Sequence, residues 1–172
     1  MCEKTDFMMD VIKRYDHYIA TTNFKVGLMV SFLATVILGL TIRVMMVPVE
    51  ATSDCLSKVV LLTVITTIIF SIIAVSQLVR VVFPNTSNDG ITDSLIFFGD
   101  VSNCENGATG YYNKIDSSDE ASRAKDLASQ TYIVAGIIKE KFRVLKIASN
   151  LTMYCVLPLL AVSLVLILTL GG

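Results

Sequence analysis

The chain alternates between long uninterrupted apolar runs and stretches where polar and apolar positions recur at helical spacing. Val26 to Val47, Val59 to Val79 and Ile147 to Leu170 form three runs in which the only charge is Arg43. Each is as long as the ~20 residues that a helix needs to cross ~30 Å of hydrocarbon. Ahead of the first run, Phe7, Met8, Val11, Ile12, Tyr15, Tyr18, Ile19 and Thr22 recur at intervals of three and four, with Asp10, Lys13, Asp16 and His17 between them. That period predicts an amphipathic helix over residues 1–25, and no proline or glycine separates it from the span at 26–47. Ahead of the third run, Leu127, Thr131, Val134, Ile138, Phe142 and Leu145 make a second stripe, again with no turn signal before the span at 147–170. Ser117 and Glu120 read as a capping box that starts this helix. The expected architecture is an all-α membrane protein of three transmembrane helices, with spans one and three continuous with cytoplasmic stalk helices.

Between Phe83 and Asp116 the pattern breaks into turn formers, Pro84 to Gly90 and then Asn103, Asn106, Gly107 and Gly110. They bracket one short apolar stretch, Ile91 to Val101, which reads as an insertion packed against the stalk helices. The remaining connection, 48–58, is a short loop, and 80–146 forms a sensor segment with its stalk helix.

Composition sharpens this picture. Of 172 residues 53% are hydrophobic and 17% charged, an average over three nearly charge-free spans and a remainder of ordinary polarity. A soluble enzyme is excluded, as is a β-barrel, whose spans alternate in hydropathy. The net charge of -1 gives no case for binding a nucleic acid polymer. Basic residues flanking the spans fall mostly on one side: Lys4, Lys13, Arg14 and Lys25 before the first, and Arg80 with Lys114 to Lys146 before the third, against Arg43 and Lys58. The positive-inside rule then places the N-terminus in the cytoplasm and the C-terminus outside. The first run is too long for a signal h-region and reads as a permanent anchor.

Catalytic chemistry finds little material. His17 is the sole histidine, without a serine or cysteine partner at a recognisable spacing, and no GxxxxGK phosphate loop occurs. Cys2, Cys55, Cys104 and Cys155 are too dispersed for a metal or disulfide framework, so no enzyme, cofactor or metal site is expected. Within the spans, Gly27, Ser31, Thr35 and Gly39 form a stripe of small residues, and Thr63, Thr67, Ser71 and Ala74 another. Such stripes serve either packing within one subunit or a subunit interface and pore lining. Arg43 snorkels to the outer interface, and Pro158 is expected to bend the third span.

Several segments together resemble a known family. These are Arg14-Tyr15-Asp16-His17-Tyr18-Ile19 with Asn23-Phe24-Lys25, the block Ile96-Phe97-Phe98-Gly99-Asp100-Val101, Tyr111-Tyr112, and Asp126-Leu127-x-x-Gln130-x-Tyr132 leading to Lys141-Phe142-x-x-Leu145. In this order they resemble the Pycsar transmembrane effectors (PycTM) of bacterial anti-phage defence, with a departure at Asn103 to Gly110. The resemblance implies an inner-membrane protein that senses cUMP or cCMP made by a partner nucleotide cyclase and then damages the bilayer; association through the small-residue stripes would let it act as a homo-oligomer. A cyclic nucleotide needs cations for its phosphate, an aromatic face for its base and polar groups for the pyrimidine edge. Arg14, Lys141 and Arg143 are candidates for the first, Tyr15, Phe98, Tyr111 and Tyr132 for the second, Asp16, Asp100 and Gln130 for the third. The alternatives stay open: core roles for the aromatics, topology for the basic residues, helix caps for the aspartates. A competing function is a non-sensing membrane assembly subunit that docks a cytosolic partner.

Overall fold

A computed structural model describes residues 3–46, 55–83 and 93–170. Most of the expected 48–58 loop, the turn-rich residues from Pro84 through Ile91, and Cys2 lie outside that range. The described residues form helices α1 (Glu3–Met45), α2 (Cys55–Val82), α3 (Phe98–Ser102), α4 (Gly107–Ser117), α5 (Glu120–Leu151) and α6 (Leu157–Leu170), with a π-helical turn, Thr152–Val156, joining the last two. No strand occurs among them, and three helical runs are long and apolar enough to cross a membrane. The chain is an all-α membrane protein.

Both expected continuities are present. Helix α1 runs 43 residues without interruption, ~65 Å at helical rise. The run from Glu120 to Thr169 is a single path of 50 residues, ~75 Å. The π turn ends at Val156, two positions before Pro158. Proline lacks an N–H and its ring crowds the carbonyl four residues back, here that of Tyr154. Widening the preceding turn, so that the Leu157 N–H reaches the Thr152 carbonyl, accommodates it without ending the helix.

The start of α5 differs from expectation. Ser117 closes α4 and its hydroxyl donates back to the Lys114 carbonyl, while Asp119 caps α5 by accepting from the Ser122 N–H at 2.9 Å. A carboxylate at this position also suits the positive end of the helix dipole better than a serine would. The Asn103 to Gly110 stretch likewise yields a helix start: Asn106 and Gly107 adopt φ of 61° and 58°, and α4 follows. A Cβ on Gly110 would collide with the Glu105 carbonyl, so this turn requires glycine there.

The chain divides into two compact units. The first comprises Met1–Thr21 and Pro84–Glu140. Its buried side chains include Leu127, Ile138, Ser94 and Gln130. The second comprises Thr22–Phe83 and Lys141–Gly172 and holds the three apolar runs together with the residues that flank them. There Val26 and Leu33 of α1 pack with Ala74, Leu78 and Val81 of α2, Ala148 of α5 and Val156 of the π turn. Farther along the spans, Val36 and Leu40 pack with Val64, backed by Leu160 and Ile167. Leu28, Phe32, Leu38, Leu62, Ile69, Ile72, Val165 and Leu168 face outward, as helices solvated by lipid require.

Candidate functional site

In the first unit, the Ser94 to Asp100 segment folds around the hydroxyl of Ser94. This oxygen accepts from the N–H groups of Ile96 (3.1 Å) and Phe97 (3.0 Å) and from Gln130 Nε2 (3.1 Å), and it donates to Asp126 Oδ2 (3.1 Å). The same Asp126 oxygen accepts the Leu95 N–H at 2.8 Å, and Asp100 Oδ2 accepts the Ser94 N–H at 2.9 Å. From α4, the Tyr111 hydroxyl donates to the Leu95 carbonyl at 2.8 Å. At the edge, Lys114 pairs with Asp93, whose φ of 90° is unusual for a residue with a side chain, and the hydrogen bond that the ammonium donates to the Asp93 carboxylate raises its pKa. Among the described residues no buried side-chain polar atom lacks a partner, so this cluster fixes one conformation of the segment.

The expected ligand residues separate into groups. Asp100, Tyr111 and Gln130 converge on Ser94 and Leu95, where they act as braces. Phe98 stays 72% exposed, its ring centroid 4.8 Å from that of Phe97. Tyr132 is 82% exposed because it lies two positions beyond Gln130, about 200° around α5 at ~100° per residue. On α1, Arg14 and Asp16 are exposed and Tyr15 is half-buried. Lys141 and Arg143 belong to the second unit. The residues that sequence reasoning passed over are Ser94 and Asp126, together with the Asp93–Lys114 pair. The four-residue spacing of Asp126 and Gln130, which puts both on one face of α5, was the available signal.

Lys141 is turned into the three-helix unit. Its buried amine donates to the Val81 carbonyl at 2.6 Å and to Asn23 Oδ1 at 3.3 Å, tying α5 to the C-terminal end of α2 and to α1. Val81 lies in the last turn of α2, where carbonyls lack helical partners, so the amine serves as a cap. Burial disfavours the ammonium and lowers its pKa below the ordinary 10.5. The folded chain therefore releases this proton at lower pH than the unfolded one, and stability rises as pH climbs through the window just below 10.5. Lys141→Met should remove that rise and cost ~2 kcal/mol near neutral pH by leaving the Val81 carbonyl unsatisfied. Thermal unfolding in detergent at stepped pH measures both.

The two small-residue stripes have opposite placements. Thr67, Ser71 and Ala74 are buried and Thr63 half-buried, and Thr67 shares a 3.2 Å hydrogen bond with Ser163 of α6. Gly27, Ser31, Thr35 and Gly39 are exposed, with the Ser31 and Thr35 hydroxyls bonded back to their own helix. Arg43 is exposed. No group of His, Cys, Asp and Glu able to hold a metal occurs among the described residues, and Cys55, Cys104 and Cys155 are free thiols.

Three apolar helices, two of them continuous with helices of a polar unit braced by buried hydrogen bonds, define a multi-pass membrane protein. A family model described as Pycsar effector protein domain (PycTM) matches residues 7–169, and the chain belongs to this family of transmembrane effectors of anti-phage defence. No curated protein and no solved structure matches it.

Proposed function

We propose that this Pycsar effector senses a cyclic pyrimidine mononucleotide, cUMP or cCMP, through its polar helical unit, and in response disrupts the bacterial inner membrane as a homo-oligomer. The loss of membrane integrity halts phage replication by arresting or sacrificing the host cell. The reading rests on the family match over residues 7–169. It is supported by the unbroken passage of α1, and of α5 through the π turn into α6, from the polar unit into the spans. The flanking basic residues support a cytoplasmic polar unit and N-terminus, with the C-terminus outside. The nucleotide comes from a partner cyclase. Exposed Phe98, Tyr132 and Arg14 are available for its base and phosphate, while Asp100, Tyr111 and Gln130 hold the segment that presents Phe98.

Binding shifts the polar unit toward one arrangement by its differential affinity for that arrangement, and the continuous helices carry the shift to the spans. The test is dye release from vesicles containing the full chain, with cUMP, cCMP or a cyclic purine nucleotide added. Release with one pyrimidine nucleotide alone is expected. No release with any of them, from protein shown to be folded and inserted, overturns the proposal and leaves the assembly-subunit reading.

A further inference from the structure

The described residues of the three-helix unit contain no acidic side chain at all. Their cations are unevenly distributed. Arg43 and Lys58 stand at one end, and Lys25, Arg80 and Lys146 stand with Lys141 and Arg143 at the other. The hydrogen bonds of Lys141 to Asn23 and Val81 bring α1, α2 and α5 to a common level there. Measured from that level at ~1.5 Å per residue, Phe24, Lys25, Arg80, Phe83, Phe142 and Lys146 all fall within ~8 Å along their helices. All six are exposed, the phenylalanines by 67%, 76% and 46%.

Three helices thus carry exposed cations and exposed phenyl rings at one level, a collar next to the apolar runs. The rings suit the boundary between acyl chains and headgroups, and among the described residues none of Lys25, Arg80 and Lys146 forms an ion pair. We infer that this collar is a recognition surface for anionic phospholipid headgroups. The phosphate of phosphatidylglycerol supplies the missing countercharge to Lys25, Arg80 and Lys146, and the acyl chains continue along the apolar faces of α1, α2 and α6. Lys141 takes no part, because its amine is turned inward.

The inference does not depend on nucleotide sensing, and its test reads lipid binding rather than leakage. The full chain, released from mixed micelles of equimolar phosphatidylglycerol and phosphatidylcholine, is weighed by native mass spectrometry and its lipid adducts counted. Phosphatidylglycerol should be retained preferentially. At about fivefold per surface cation, K25Q/R80Q/K146Q should lower the preference by on the order of a hundredfold. R43Q/K58Q, at the opposite end, should keep it. If the triple variant fails to insert, K25Q and R80Q are read singly, each expected to lower retention about fivefold. Equal retention of both lipids by the unaltered chain, or an undiminished preference in the inserted variants, overturns the inference. Displacement of phosphatidylglycerol by added cUMP, cCMP or inorganic phosphate does so too, since the collar would then be a site for free phosphate groups. Retention unaffected by these additions supports a lipid headgroup as the occupant.

Discussion

Asp126→Ala is expected to release the Ser94 to Asp100 segment from α5 while leaving the three spans folded. One carboxylate oxygen of Asp126 holds both the Leu95 N–H and the Ser94 hydroxyl, and Ser94 in turn organises the turn through Ile96 and Phe97. Removing it leaves donors in a half-buried setting without a partner, a loss of ~2 kcal/mol in the local opening equilibrium. Amide exchange across residues 94–101 should accelerate about thirtyfold at that cost, with little change in α2 or α6. Asp126→Asn keeps an accepting oxygen but not the charge, and should fall between the two. Uniform acceleration across the whole chain would show instead that this cluster stabilises the protein globally. If the segment presents Phe98 to a nucleotide, Asp126→Ala should also weaken cUMP or cCMP binding more than tenfold, measured by calorimetry.

Gly136→Pro should uncouple binding from membrane leakage. Gly136 is exposed midway along α5, and a Cβ added there would meet nothing within 4 Å. Proline at this position removes the helical N–H and crowds the Tyr132 carbonyl, at a cost of ~3 kcal/mol, and kinks or breaks the helix. Dye release per bound nucleotide should fall more than tenfold, beyond whatever loss of nucleotide affinity follows from displacing Tyr132. Gly136→Ala is the counterpart: with open space for its methyl group it should stabilise α5 by ~1 kcal/mol and preserve release. Wild-type release from the proline variant would show that the continuous helix is not the route by which the signal travels.

The large features were legible because they repeat. An apolar run of twenty residues sums many small transfer energies of one sign, so Val59 to Val79 needs no partner to be identified as a span. The stripe from Phe7 to Thr22 keeps one period into the first span, and α1 is accordingly continuous. Features decided by one or two residues were not legible. Ser117 and Asp119 are both good caps, and which one starts α5 depends on where α4 ends. Asn106 and Gly107 belong in a loop by composition, yet their left-handed backbone serves to launch α4. Pro158 signalled a disturbance, but its form, a π turn that keeps the helix unbroken, depends on how the preceding backbone relaxes.

The same division runs through the candidate site. Asp126 and Gln130 share a face of α5 by spacing alone, but Ser94, their common partner, lies 32 and 36 positions away. Lys141 looks in the sequence like one more flanking cation, and only its contact with Asn23, 118 positions distant, turns it into an interior cap. Two stripes of small residues carry the same local signature, yet α2's is buried against α6 while α1's faces outward. Sequence by itself determined the number of spans, their continuity with the polar helices and the asymmetry of charge, because hydropathy and helical period are properties of neighbouring residues. Tertiary structure alone decided which polar groups meet and which faces remain open, because those outcomes rest on hydrogen bonds and packing between segments that the order of residues does not bring together.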